Sequence, residues 1–379
     1  MIQSGDSIMA KFRKIGVLTS GGDAPGMNAT VRAVARAAIS RGVEVIGIYE
    51  GYKGLIHTKR IVDGKELDST VHLDNRAVDN IISRGGTMLW SDRCLEFKEE
   101  AGILAAKRTC EELGIDGIVA IGGDGTFRGA TDFTNYGVPC IGLPGTIDND
   151  ITSTDESIGF DTAMNTVVEM VDRLRDTCDS HRRCNVVEVM GRAAGYIALE
   201  AGIATGASAI AVKEIPFDED ACIAKLIAQK ESGKRNFIVM VAEGIPLDAA
   251  GDKEYSEKLA KRIQEKTGIE TKFARLAHVV RGGSPTLRDR LLAARLGDAA
   301  VEELLAGKSN LVMCLQNDQV VGMDIGYALS LDRLYKGKVK PGELEAKYTP
   351  EQIADMHTFC DRKLAAFKKL YETANRISN

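Results

Sequence analysis

The chain has 379 residues, 44% of them hydrophobic and 27% charged, with a formal net charge of −5. That length allows two or three domains, and that charge excludes the global basic field that draws nucleic acid. Eight scattered cysteines form no C-x-x-C pair, and the N-terminus has no signal-like apolar run, so reduced thiols in the cytoplasm are expected rather than a disulfide framework.

Met9 is a candidate start, and the residues before Lys11 read as an unstructured lead. Lys14 to Thr19 reads as a strand, Ser20 to Gly26 as a glycine-rich turn with Pro25 suited to a helix start, Met27 to about Arg41 as that helix, and Val43 to Tyr49 as the next strand. Together they make one βαβ unit of a parallel sheet. Between Ile56 and Leu73, β-forming runs flank Asp63-Gly64-Lys65, a hairpin signal and a surface insertion. Ser83 to Thr87 is another glycine turn, leading to Trp90, which is read as packing.

A helix from Glu99 to Leu113 precedes the apolar run Gly117 to Ile121, the pattern of a strand buried on both faces. A second such strand, Val138 to Leu143, follows. The long helix to about Asp179 takes its core face from Val167, Val168, Val171 and Leu174. Strands are then expected at Asn185 to Val189, Ala209 to Val212, Phe237 to Ala242 and Phe273 to Val280. Helices are expected at Asp220 to Glu231, Lys253 to Lys266 and Thr286 to Ala306, with strands near Leu311 to Met323 and two terminal helices. Ala193 to Val212 has the length of a membrane span, but its small residues and Glu200 mark a buried helix followed by a strand, so no membrane partner is expected.

The chemistry concentrates between Gly122 and Asp150. Gly122, Gly123 and Gly125 follow the buried strand and let the backbone turn sharply against a ligand. Main-chain N–H groups at the head of a helix suit phosphate oxygens. A carboxylate there repels phosphate unless a cation lies between, so Asp124 is read as a Mg²⁺ carboxylate, direct or through water. The second strand ends in Pro144-Gly145-Thr146 and opens onto Asp148 and Asp150. Residues two apart in an extended segment face the same way, so these two carboxylates are expected to point together. With arginines at several strand ends, the inventory fits phosphoryl transfer, in which positioning and charge neutralisation do most of the work.

Gly142-Leu143-Pro144-Gly145-Thr146-Ile147-Asp148-Asn149-Asp150, with Leu18 to Asn28, Val187 to Arg192 and Arg281 to Pro285 in order, resembles the bacterial 6-phosphofructokinases over roughly Ile15 to Gly322. The resemblance implies ATP as co-substrate, Mg²⁺, and fructose 6-phosphate phosphorylated at its 1-hydroxyl. It makes Asp148 the general base, with Thr146, Ile147 and Asp150 at the same end of the site and Asp124 at the metal. Gly22, Arg93, Cys94, Gly123, Gly125 and Thr126 match the ATP contacts. Met190, Gly191, Arg192 and Glu243 match the sugar contacts, with Arg192 also reaching the transferring phosphoryl, and His278 and Arg281 match the 6-phosphate pocket. Arg183 and Lys272 match positions that come from a neighbouring subunit, which implies a homotetramer.

The resemblance also sets expectations for the fold: two doubly wound α/β domains with the active site in the cleft between them. The larger is expected to span 1–158 plus 279–330, and the smaller 159–278 plus 331–379 with a helical extension. Small residues at Gly125 and Gly145, where pyrophosphate-dependent relatives carry Asp and Lys, favour ATP as donor. Lys272 stands where many members have Arg and loses the bidentate fork. At the effector site Arg32, Arg36, Arg175 and Lys234 are present, but Asn75, Ser208 and Ser232 replace expected Arg, Glu and Lys, so effector control stays open. Two alternatives stay open as well: a kinase for tagatose 6-phosphate or sedoheptulose 7-phosphate, and a non-catalytic sugar-phosphate-binding subunit.

Overall fold

The computed structural model describes residues 12–192, 194–245 and 254–378. The expected lead before Lys11, Ala193 and the first residue of the helix expected from Lys253 lie outside the described residues. In chain order the elements are β1 (Lys14–Thr19), α1 (Met27–Ser40), β2 (Glu44–Ile48), α2 (Tyr52–His57), β3 (Lys59–Val62), β4 (Lys65–Asp68), β5 (Thr70–His72), α3 (Glu100–Leu113), β6 (Gly117–Gly122), α4 (Asp124–Asn135), β7 (Cys140–Pro144) and α5 (Phe160–His181). There follow β8 (Cys184–Val189), α6 (Tyr196–Ala204), β9 (Ala209–Ala211), α7 (Glu219–Glu231), β10 (Phe237–Ala242), α8 (Tyr255–Thr267), β11 (Thr271–Arg275), α9 (Leu287–Leu305), β12 (Leu311–Gln316), β13 (Gln319–Asp324), α10 (Ile325–Tyr335) and α11 (Pro350–Ile377).

The chain forms two compact units. The first comprises Met1–Ile147, Ile151–Asp161 and Arg281–Met356; the second comprises Asp148–Asp150, Thr162–Val280 and His357–Asn379. Both are α/β, each built on a parallel sheet, as the alternating strands and helices of the sequence predict.

In the first unit seven strands run in the order β13-β12-β7-β6-β1-β2-β5. Only the two edge strands, β13 and β5, pair antiparallel. The centre is β6, all six residues of which are buried; Val119 sits opposite Val17 of β1 on one side and Ile141 of β7 on the other. Such a strand has no wet face, which is why it reads as an unbroken apolar run rather than an alternating one. Leu18, Phe127, Phe133, Ile118 and Val312 belong to one buried cluster on this sheet. The expected insertion is the hairpin β3–β4, a separate two-stranded ladder with Val62 opposite Lys65.

In the second unit four parallel strands run β11-β8-β10-β9. Val186, Phe237, Val239, Leu226, Leu259 and Ile263 form its core. Along α5, Val167 and Val171 are fully buried, while Val168 and Leu174 are only half-buried.

Two expectations are corrected. The strand expected from Phe273 to Val280 begins earlier and ends at Arg275. The last ladder pair is Arg275 with Glu188, Leu276 N–H still donates to Glu188 O at 3.1 Å, and then Ala277 turns to φ +44°. A short 3₁₀ turn over Ala277–Arg281 follows, and His278 is exposed on it instead of lying on an apolar strand. Likewise Asp148 and Asp150 do not lie on an extended segment. Asn149 between them has φ +49°, so the alternation argument for their shared direction does not apply.

Candidate active site

In the first unit Thr19 lies opposite Ile121, so the turns that follow β1 and β6 are neighbours. Ser20 N–H donates to Ile121 O at 3.0 Å, and the buried Thr126 hydroxyl donates to Ser20 O at 3.1 Å. A Cβ at Gly122 would stand 2.4 Å from Ser20 O and 2.3 Å from Thr126 Oγ1; glycine here is required by the close approach of the two turns. Gly123 and Gly125 differ, because a Cβ at either meets nothing within 4 Å. Their face is open. α4 begins at Asp124 directly after Gly123, which places the carboxylate in the first turn of a 12-residue helix, beside amide N–H groups left without helical partners.

A third segment is sewn to these turns. Thr19 Oγ1 donates to Trp90 O at 2.7 Å, Ser91 Oγ to Gly21 O at 2.6 Å, and Gly21 N–H to Asp92 O at 3.2 Å. These bonds hold the chain as far as Asp92 beside the Gly21 turn; Arg93 follows directly, and Cys94 packs against the buried cluster of this unit. Burial raises the Cys94 thiol's pKa, which keeps it protonated and fits a packing role beside a ligand. Arg281, expected with His278 in the 6-phosphate pocket, lies against this turn: its Nη1 donates to Asp23 O at 3.0 Å and would lie 3.0 Å from a Cβ at Gly22. Trp90 itself takes φ +56°, unusual for so bulky a residue. Its indole stands edge-on to Tyr49, with the Arg60 guanidinium of the hairpin 4.6 Å above the ring.

Asp124 Oδ2 lies 3.7 Å from Lys336 Nζ. Among the described residues no three His, Cys, Asp or Glu side chains converge as a metal cage. A single carboxylate at an open glycine turn suits a cation that arrives with phosphate oxygens and keeps its waters, which is the usual habit of Mg²⁺.

The segment after β7 starts in this unit. Gly145 N–H donates to Gly122 O at 3.0 Å, and Ser157 Oγ donates to Thr146 O at 2.7 Å. Thr146 is half-buried and Ile147 fully buried. Asp148 and Asn149 are buried, Asp150 is half-buried, and these three residues belong to the second unit.

Within the second unit the C-terminal ends of β8 and β10 adjoin, with Val189 opposite Ala242. Glu243 Oε1 accepts from Arg192 N–H at 2.7 Å and from Gly191 N–H at 3.3 Å. Gly191 has φ +152°, and a Cβ there would meet Ala194 O at 2.4 Å. Arg192 follows at φ +51° with its carbonyl held by Lys213 Nζ. Met190, Gly191, Arg192 and Glu243 therefore form one braced turn. Arg183 and Lys272 lie elsewhere, at the N-terminal ends of β8 and β11, bridged by Glu270 at 2.8 Å and 3.0 Å. The six residues of β8 separate the two groups, roughly 20 Å of strand.

The effector candidates divide between the units. Arg36 in the first donates to Asp79 Oδ1 at 2.9 Å and Asn75 O at 3.3 Å, and Arg32 lies one turn earlier on α1. In the second, Arg175 donates to Asn236 Oδ1 at 2.8 Å and to Thr205 O, and Lys234 donates to Ser208 Oγ at 3.0 Å. Burial, then the nearby Arg175 and Lys225 charges, lower the Lys234 pKa. Sequence reasoning missed Lys336, which belongs to no motif, and the bracing action of Glu243.

The family model described as Phosphofructokinase matches residues 14–304. The chain is 48% identical over 324 residues to ATP-dependent 6-phosphofructokinase 1 of Clostridium perfringens, covering 86% of this chain and 96% of that protein. It is 50% identical over 314 residues to ATP-dependent 6-phosphofructokinase of Bacillus subtilis, covering 83% and 93%. Among solved structures, phosphofructokinase from Saccharomyces cerevisiae superposes with a TM-score of 0.81 at 32% identity; the match covers 96% of this chain, which spans half the length of the yeast chain. A pyrophosphate-dependent phosphofructokinase from Marinobacter aquaeolei shares the fold at a TM-score of 0.71 and 22% identity, over 83% of each chain.

Proposed function

The chain belongs to the phosphofructokinase family, and from that premise we propose that it transfers the γ-phosphoryl group of ATP to the 1-hydroxyl of fructose 6-phosphate. The products are fructose 1,6-bisphosphate and ADP. The observation that carries this reading is the open glycine face at Gly123 and Gly125 with Asp124 at the head of α4, a place for a nucleotide's phosphates and their metal. Gly22, Arg93, Cys94 and Thr126 line the same nucleotide.

Mg²⁺, when bound at Asp124, supplies positive charge to the phosphate oxygens. Asp148 takes the proton of the 1-hydroxyl as its oxygen bonds to the γ-phosphorus and the bond to the ADP oxygen breaks. Thr146, Ile147 and Asp150 hold that end of the sugar. Met190, Gly191 and Arg192 receive the sugar, Arg192 also meets the transferring phosphoryl, and His278 and Arg281 take the 6-phosphate. Glu243, bonded to the Arg192 and Gly191 amides, positions that turn as well as contacting the sugar.

Arg183 and Lys272 sit at the opposite strand ends from Met190 and Glu243, which supports their serving the active site of a neighbouring subunit in a homotetramer. All eight cysteines are free thiols and no described helix is long and apolar enough to cross a membrane; we place the protein in the cytoplasm. Because the relatives at about half identity are named ATP-dependent, ATP is the donor.

The test is initial rate with fructose 6-phosphate and Mg²⁺, comparing ATP with pyrophosphate, and tagatose 6-phosphate and sedoheptulose 7-phosphate as other acceptors. Turnover with ATP and fructose 6-phosphate is expected. Turnover with pyrophosphate refutes the donor, preference for another sugar refutes the acceptor, and no turnover at all refutes the assignment as a kinase.

A further inference from the structure

α10 packs against α4 in the first unit, and Lys336 stands at its C-cap. This residue lies beyond the span matched by the family model. Its ammonium is 2.7 Å from Asp332 Oδ2 and 3.7 Å from Asp124 Oδ2, with only 12% of the side chain exposed. Asp332 is itself buried at 3% exposure. Its other oxygen, Oδ1, accepts from Thr152 N–H at 3.2 Å and from the Thr152 hydroxyl at 2.7 Å. The lysine is thus fixed from behind by a buried carboxylate that is itself fixed to the segment following Asp150. It is a tethered cation, and what it faces is the carboxylate read above as the metal ligand.

We propose that Lys336 is a built-in counter-cation of the nucleotide's metal site and sets how strongly the protein prefers metal-bound over metal-free ATP. The inference rests on the reading of Asp124 as the Mg²⁺ carboxylate. With no metal present, the ammonium neutralises Asp124 and attracts the phosphates, so free ATP is tolerated. When Mg²⁺ is at Asp124, the same ammonium repels it. Lys336 therefore narrows the gap between the two nucleotide forms. It is a positioning residue for charge, with no part in proton transfer. Unit charges about 4 Å apart in a partly hydrated setting are worth about tenfold or more in a binding constant.

The experiment is equilibrium dialysis of labelled ATP against the full-length protein, once with excess Mg²⁺ and once with EDTA, giving the ratio of the two Kd values. Lys336→Met is expected to raise that ratio about tenfold, and Lys336→Arg to restore it to near the wild-type value. Because Lys336→Met leaves Asp332 buried without its ammonium, the double variant Asp332→Asn with Lys336→Met is measured in parallel; the carboxamide keeps an acceptor for Thr152, and a smaller rise in the same direction is expected, since the opposing Asp332 charge goes with the ammonium. Asp124→Asn separates the two levels of the argument, since it should collapse the metal preference towards unity. If it does not, the reading of Asp124 fails. If it does, while the Lys336→Met and double variants stay within about twofold of wild type, the role assigned to Lys336 is overturned.

Discussion

Gly125→Asp tests the nucleotide face without disturbing the fold. A Cβ at this position meets no atom within 4 Å, and the residue is the second of a 12-residue helix. An acidic side chain in a first turn gains about 0.3–1 kcal/mol from the helix dipole, and removing a helical glycine adds up to about 1 kcal/mol; the neighbouring Asp124 charge offsets part of this. The melting temperature should stay level or rise slightly. The effect on ATP has the opposite sign. A new negative charge about 5 Å from a triphosphate, at an effective dielectric between water and protein, costs about 1–2 kcal/mol, or roughly 5–30-fold in KM. Gly125→Asn fills the same space without the charge, so the part of the KM change that it does not reproduce is the electrostatic part. The assay is coupled ADP release at saturating sugar phosphate, with a thermal melt of each variant. Added salt should shrink the difference between the Asp and Asn variants, because charges near solvent are screened. A Gly125→Asp protein with wild-type KM and the wild-type salt response would refute the assignment of this face to the nucleotide.

Asp148→Ala should lower kcat by about 10²-fold or more, the usual cost of losing a general base, with the MgATP Kd nearly unchanged; a kcat near wild type would remove Asp148 from that role. Glu270 should titrate unusually low. The Arg183 hydrogen bond, and then that of Lys272, hold its carboxyl at about 2 instead of the ordinary 4.5. Its folded-state pKa is depressed, so the stabilisation is fully present above the ordinary value and is lost as pH falls through about 2. The Glu270 carboxyl resonance, followed by NMR from neutral pH to acid, should stay in its ionised position past about pH 4. A midpoint above that value would show the bridge to be absent in solution.

The architecture was legible because the parallel strands have no wet face. Runs such as Gly117 to Ile121 and Phe237 to Ala242 have to be apolar throughout, and all of their residues are buried. Glycines were legible where they end such runs, as at Gly122 and Gly191. What stayed hidden depends on partners far away in the chain or on a single dihedral. β11 ends where Ala277 enters the left-handed region, and nothing in Ala277-His278-Val279 announces it. Asn149 enters the left-handed region within a motif that alternation alone would read as extended. Arg281 follows the exposed turn at His278, yet its guanidinium caps the first glycine turn of the chain. Lys336 reaches Asp124 only because α10 packs on α4, a tertiary pairing with no local signature. Glu243 looks like an ordinary helix cap until its two backbone donors are seen.

The seven-stranded sheet has a bearing on how the protein is made. β7 pairs on one side with β6, which immediately precedes it, and on the other with β12, through Ile141 opposite Leu311 and Gly142 opposite Val312. At about 5–20 residues per second, a ribosome needs roughly 10–30 s after finishing Pro144 before Leu311 is made. Throughout that interval the wholly apolar Cys140–Pro144 strand has no partner along one side, and an unpaired edge of that kind is a template for pairing with another chain. The nascent protein is therefore most exposed to aggregation in mid-translation, and messages cut short before codon 311 leave that edge uncovered for good. Expression would benefit from chaperones that bind extended apolar segments, and from steady elongation between the two strands.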